Sequence, residues 1–385
     1  MNREKKIVTG ISASILIGVL LFLKYFNFFG SNINGLINNL FGLTPIPTLS
    51  LMLPLGVSFY TLQAVSYITD VYRGTVKADK NPFRVCLFLT FFPQLIEGPI
   101  CRYSQTAESL YNGNDYDSKN IVSGFQLIIW GLFKKIIIAD RLNVLVNQVF
   151  SNYSNYGGAI IAISVLCYTI QLYCDFSGCM DIVRGSGELF GIIIPKNFER
   201  PFFSGSVSEF WRRWHISLGT WFKDYLFYPV SLSSPVKKLG KFSRNHFGNR
   251  AGKLIPAVCA LFLVWFSTGL WHGASWKYAA YGLYYFILIS LGMVLEPEIN
   301  KIKNSLNIKK ESKLYKAFQI FRTFVLVNFG MLIFRADNLQ VCINMFTKLF
   351  TDFNPAQVLS FFSINLKVDI NDIFILIISL SLIHI

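Results

Sequence analysis

Charge is scarce in this 385-residue sequence: only 15% of residues are Asp, Glu, Lys or Arg, against 53% hydrophobic. A soluble chain of this length would be read as two or three domains under a polar surface, and the polar residues here are too few to cover one. Acidic residues are scarcer still, 21 against 36 basic, which leaves a net charge of +15. Histidine occurs four times, at His215, His246, His272 and His384. The seven cysteines include no CxxC. Zinc and dithiol exchange therefore lack their usual signature, and the cysteines read as small apolar packing residues. G-x-S-x-G, P-loop, H-x4-D and H-E-x-x-H patterns are all absent. A serine nucleophile has no visible seat. No internal repeat or low-complexity tract appears, which weighs against a repeat-built transporter.

Long apolar runs are present instead. Residues 7–29 and 254–271 are each long enough to cross the ~30 Å hydrocarbon core as a helix. Similar stretches fall at 49–68, 83–100, 121–139, 158–174, 277–294 and 317–334. About nine hydrophobic segments are expected, some of them re-entrant or interfacial, in an all-α polytopic membrane protein forming a single domain over 1–385. The basic start before residue 7 resembles a signal peptide, but the run is long and lacks a small-residue cleavage site, so it is read as a retained helix. The basic residues lie between the apolar runs, a pattern the positive-inside rule explains better than nucleic-acid binding. The richest loop, 195–253, is placed in the cytoplasm with the basic stretch 301–316 on the same side; 237–253 reads as a polar loop.

Three stretches mix polar residues with dense aromatics. In 91–103 (FFPQLIEGPICRY) two prolines and a glycine break any helix, leaving either an interfacial loop anchored by Arg102 and Tyr103 or irregular backbone lining a wet cavity. In 171–213 an apolar run ends on Asp175, an ionisable group that needs a partner or a cavity at membrane depth. Asp181 and Arg184 have the spacing to pair. Ser206 and Glu209 form a capping-box pattern opening a helix over 207–227, with Phe210, Trp214, Leu218, Trp221 and Tyr225 on one face, suited to lying at the membrane surface. Glu209 and Arg213 can pair at i, i+4, and His215 sits one residue off the stripe. In 267–276 (STGLWHGASW) His272 lies between Gly269 and Gly273 and between Trp271 and Trp276, so a second molecule has room to approach a side chain that titrates near neutrality.

The chain resembles the membrane-bound O-acyltransferases, in the bacterial branch that handles alginate and teichoic acid. The resemblance rests on 91–103, 173–178 (YCDFSG), 197–201 (NFERP), 209–225 (EFWRRWHISLGTWFKDY), 269–276 (GLWHGASW) and 334–336 (FRA), which occur in the family's order. It implies a helical fold around a buried tunnel, with an essential histidine at His272 and a second at His215. It further implies acetyl transfer to hydroxyls of an exported or cell-surface polysaccharide, at the bacterial plasma membrane. His272 would be the base and His215 the orienting or relaying group. Trp271, Trp276, Asp175, Arg213 and Trp214 would face substrate. Acetyl-CoA is the expected donor, with no bound cofactor or metal. The expected partners are the polysaccharide or a secreted acetyl-transferring protein, and the bilayer. D-alanyl transfer to teichoic acid, peptidoglycan O-acetylation and, outside enzymes, transport are the alternatives. The family's members are generally longer, and 373–385 is short for a span, so the chain is expected to be compact or truncated at both ends. A final expectation brings His215 and His272 within about 10 Å, a gap that bound substrate or water bridges, in a cavity lined by 91–103 and 175–178.

Overall fold

A computed structural model of the chain describes residues 3–41, 45–115, 117–309, 311–358 and 361. His384 and the 373–385 segment lie outside the described residues. The regular elements are all helices: α1 (Arg3–Phe41), α2 (Val57–Arg73), α3 (Pro82–Thr90), α4 (Tyr103–Asn112), α5 (Ser118–Leu132), α6 (Asp140–Ser151), α7 (Gly158–Leu189), α8 (Val207–Arg213), α9 (Ile216–Phe222), α10 (Tyr228–Ser231), α11 (Ser234–His272), α12 (Trp276–Ser305), α13 (Lys313–Arg335) and α14 (Leu339–Thr351). A π-helical turn, Phe133–Ala139, joins α5 to α6.

Among the described residues six helices are long and apolar enough to cross a membrane, in place of about nine: α1, the continuous Ser118–Ser151, α7, α11, α12 and α13. Two expected segments fail for local reasons. The 49–68 run is extended up to Pro54, and helix starts only after Gly56 in a left-handed conformation (φ 72°). The 83–100 run breaks after nine helical residues into a 3-10 turn at Phe92–Gln94, which contains Pro93.

The chain divides into two compact units. The first comprises Met1–Phe125, Val183–Pro195 and Leu270–Ser275. In it, Asn27 and Asn34 on α1 each exchange two hydrogen bonds with the backbone of the extended segment, at Leu49 and Ile46 (2.7–2.9 Å). The irregular 91–103 stretch packs inward: Cys101 and Phe88 are fully buried with Tyr103, Val183 and Ile194. A Cβ at Gly56 would lie 1.8 Å from the Leu95 carbonyl oxygen, so only glycine admits this loop. Tyr103 is no interfacial anchor. Its hydroxyl donates to Asp79 Oδ2 at 2.7 Å, and its ring packs 4.6 Å from that of Tyr67. Asp79, held by the Asn81 amide and then by this hydroxyl, has its pKa depressed. Burial first, and then the bonds to Tyr111 and Asp79, raises that of Tyr103. Burial also pushes the Cys101 thiol up to about 12, against the opposing pull of Arg102.

The second unit comprises Gln126–Ile182, Lys196–Gly269 and Trp276–Ile385. Here the end of α5, just before the π turn, and α7 cross at glycine on both sides. A Cβ on Gly131 would meet the Gly178 carbonyl oxygen at 2.5 Å, and one on Gly178 would meet that of Gly131 at 2.7 Å. Small residues are what let two apolar helices approach this closely. Gly178→Ala is therefore expected to cost about 1–3 kcal/mol through overpacking, read as a lower thermal midpoint of the detergent-solubilised protein. Melting indistinguishable from wild type would show that the crossing has slack.

The 237–253 stretch, expected as a loop, is helical. α11 is two helices folded at Gly248 (φ 86°, ψ 173°). Just beyond that fold, Arg250 donates to the carbonyls of Met293 (3.3 Å) and Val294 on α12. Met293 lies four residues before Pro297, which has no N–H to offer it, so Arg250 answers a carbonyl the helix leaves open. This bond sets the polar ends of α11 and α12 at one level. Lys301, Lys303 and the 237–253 cations thus share a side, as the positive-inside reading requires.

Candidate active site

The 207–227 segment is not one helix. α8 ends at Arg213, Trp214 is extended, His215 is left-handed (φ 48°, ψ 52°), and α9 starts at Ile216. The interruption comes from Asn197–Glu199. Phe198 bridges Trp214, the Glu199 amide donates to the Arg213 carbonyl at 2.9 Å, and the Ile216 amide donates to the Asn197 carbonyl at 3.0 Å. A left-handed non-glycine residue is costly and persists only where its surroundings impose it. The aromatic stripe does not lie on a surface, since Phe210, Trp214, Leu218 and Trp221 are buried. At the start of α8 the Ser206 hydroxyl accepts from the Glu209 amide, while the Glu209 carboxylate takes the Gly205 amide and pairs with Arg213 at 2.6 Å.

His215 is 3% exposed. The Asn197 Oδ1 already accepts from the Ser217 amide at 2.9 Å. Its NH2 is thus the group facing His215 Nδ1, at 3.1 Å, and donates to it. That arrangement leaves the ring proton on Nε2. Phe176 meets the imidazole edge to face at 4.8 Å. A cavity of about 470 Å³ opens beside His215, lined by Trp211, Trp214, Leu261, Trp265, Arg212 and Lys223 among others. The Trp211 indole, packed against Trp265 and Tyr285 at 5.0 and 4.8 Å, has a buried N–H with no hydrogen-bond acceptor among the described residues.

The Tyr173–Gly178 motif turns out to be a set of fastenings. Tyr173 lies in the aromatic cluster with Phe198, Phe202 and Trp214. Asp175 pairs with Lys135 at 3.0 Å, and Ser177 accepts from Lys134 at 3.2 Å. Lys134 also forms an ion pair with Asp181, a partner the spacing of Asp181 and Arg184 did not suggest. A π turn widens the helix by one residue and redirects the side chains around it. Here it lets consecutive lysines both reach α7. Arg213, besides Glu209, donates to the Arg200 carbonyl at 3.4 Å. In the 334–336 motif the Ala336 carbonyl accepts from Lys277 at 2.7 Å, and Arg335 donates to Asn147. Trp276, at the start of α12, is 57% exposed.

His272 is the last residue of α11. Within the first unit the end of that helix is held from α1. Lys24 donates to the Trp271 carbonyl and Tyr25 to the Leu270 carbonyl. These are last-turn carbonyls that the helix itself cannot satisfy. Trp271 stacks edge to face on Phe59 at 5.5 Å, with Lys24 5.7 Å above its ring. Lys24 is the one charged residue within the apolar run 7–29, and a cation at that depth demands a partner. Asn197 gave no such signal.

The signature of the MBOAT, membrane-bound O-acyltransferase, family matches residues 77–244. A probable alginate O-acetylase of Pseudomonas aeruginosa is 36% identical over 333 residues, 86% of this chain and 58% of that protein. The chain belongs to the membrane-bound O-acyltransferase family. It is also similar to a peptidoglycan O-acetyltransferase of Helicobacter pylori, at 31% over 87% of the chain and 62% of that protein. A teichoic acid D-alanyltransferase of Bacillus subtilis is 28% identical over 73% of the chain and 68% of that protein. The chain spans about three fifths of the length of the alginate relatives it matches. As a family member with six candidate spans it is a multi-pass membrane protein.

Proposed function

We propose that the chain transfers acetyl groups from acetyl-CoA to hydroxyls of an exported or cell-surface polysaccharide, at the bacterial plasma membrane. The observation that carries this reading is the identity to proteins named alginate O-acetylases. His272 takes the proton of the acceptor hydroxyl as that oxygen attacks the thioester carbonyl. The C–O bond forms and the C–S bond breaks. The departing thiolate recovers the proton from the imidazolium, which returns the histidine to its neutral form. His215 carries its proton on Nε2 and is suited to donate to a carbonyl or an oxyanion rather than to act as base. Trp271, Trp276, Asp175 and Trp214 are the proposed substrate-facing groups. Arg213 braces the His215 turn.

The test is a deletion strain rescued with wild type or with His272→Ala at matched membrane levels, scored by polysaccharide acetyl content. Background acetylation with His272→Ala is expected, and full restoration sinks the assignment. The similarity to a peptidoglycan O-acetyltransferase supports a second acceptor. In the same strains, loss of ester-linked acetate from sacculi with unchanged polysaccharide would move the activity there. Loss of ester-linked D-alanine from teichoic acid would move it to the D-alanyl alternative.

A further inference from the structure

The folded α11 carries a surface that the acyl-transfer reading does not use. A Cβ on Gly252 would lie 2.6 Å from Arg244 Cβ, and one on Gly240 would lie 2.9 Å from Pro256 Cγ. Both pairs are centred on Gly248. The arm 234–247 therefore runs back antiparallel along the first turns of 249–272, the part of α11 that becomes the span. At 100° per residue this arm has three faces. Val236, Gly240 and Ser243 form the packed face, and Gly240 and Ser243 are buried. Leu239, Phe242 and His246 form the next, with Leu239 37% and Phe242 54% exposed and the Phe242 and His246 rings stacked at 4.1 Å. Lys237, Lys238, Lys241 and Arg244 occupy the rest, all exposed, and none has a carboxylate partner among the described residues. The sequence contains no Asp or Glu between Asp224 and Glu296.

Exposed apolar side chains ask for an apolar solvent, and unpaired cations ask for anions. A soluble nucleotide would answer the second demand and leave Leu239 and Phe242 in water. A phospholipid with an anionic headgroup answers both, because its acyl chains and phosphate are one molecule. The arm's position fits: it lies beside the first apolar turns of the span, where an interfacial helix sinks about 5–10 Å into the boundary of headgroups and acyl chains and lysine stems reach back to the phosphates. We propose that the 234–247 arm is a binding site for anionic phospholipids, a basic and aromatic clamp on the cytoplasmic leaflet next to the α11 span.

The experiment uses the full chain in nanodiscs, with a fluorescent amino acid at position 242. Quenching is measured with spin-labelled phosphatidylglycerol and, separately, with spin-labelled phosphatidylcholine at equal mole fraction. The anionic lipid is expected to quench at least about threefold more strongly, since each nearby cation enriches anionic lipid, and high salt should erode the difference. Exchanging Lys237, Lys238, Lys241 and Arg244 for Gln should bring the ratio to about one while both lipids still quench. Equal quenching in the wild-type arm overturns the proposal, as does absence of quenching by either lipid. Loss of the preference when free coenzyme A is added would assign the cations to the soluble donor and overturn it equally.

Discussion

Replacing His215 by Asn is expected to lower acetyl transfer by about 10²–10³-fold while leaving the protein folded. Asn is the informative substitution because the residue is left-handed (φ 48°, ψ 52°). Asn adopts that region more readily than Ala, whose short apolar side chain offers no local hydrogen bond to support it, so Asn keeps a folding effect apart from a chemical one. Asn197 then keeps its bonds to the Ser217 amide and, through its own carbonyl, to Ile216, so the turn survives. What disappears is the Nε2 proton. If His215 and His272 serve one transition state, the double variant His215→Asn, His272→Ala falls no further than the worse single variant, because groups acting as a unit are not additive. Initial rates with radiolabelled acetyl-CoA and purified protein decide the matter. Losses that multiply would mean independent roles, and a His215→Asn variant at wild-type rate would remove the second histidine from the chemistry.

How far the sequence could be read depended on the range of the interactions. The spans were visible because an apolar run of sufficient length has few folds available in lipid; α1, α7, α12 and α13 fall where the runs are. The Glu209–Arg213 pair and the Ser206 cap are local and followed from spacing alone. The break at His215 was not legible. Positions 207–227 have a clean helical stripe, and what interrupts it is Asn197, whose side chain and backbone claim the Ser217 and Ile216 amides from outside the segment. The fold at Gly248 was missed for a related reason. A dense run of lysines reads as a solvated loop, while the packing that makes it a hairpin depends on Gly240, Gly252 and Pro256 meeting across the turn. The motif residues were flagged as chemistry, but several are fastenings: Ser177 and Gly178 seat the π turn, and Arg335 and Ala336 close the end of α13.

Lys134→Met is expected to destabilise the protein by about 3–5 kcal/mol, because it strips one ion-pair partner from a carboxylate that is largely removed from water. The Lys134 and Asp181 side chains are only 9% and 15% exposed, and the ammonium also donates to Ser177. Removing the cation takes away an ion-pair partner that compensates the burial of the Asp181 carboxylate, and that costs folding free energy. The neighbouring pair behaves differently. Lys135 and Asp175 are 37% and 31% exposed, so solvent screens them, and Lys135→Met should cost at most about 1 kcal/mol. The contrast between adjacent lysines on one π turn is itself a control, since both substitutions remove one charge and preserve the stem. The decisive variant combines Lys134→Met with Asp181→Leu. Replacing both members of a buried pair by apolar groups is often neutral, so the double variant should recover most of the lost thermal midpoint, with Lys134→Met and Asp181→Leu each worse alone. If instead the double variant is as unstable as the sum of the singles, the two side chains act separately, and the contribution of Lys134 lies in its bond to Ser177 at the Gly131–Gly178 crossing.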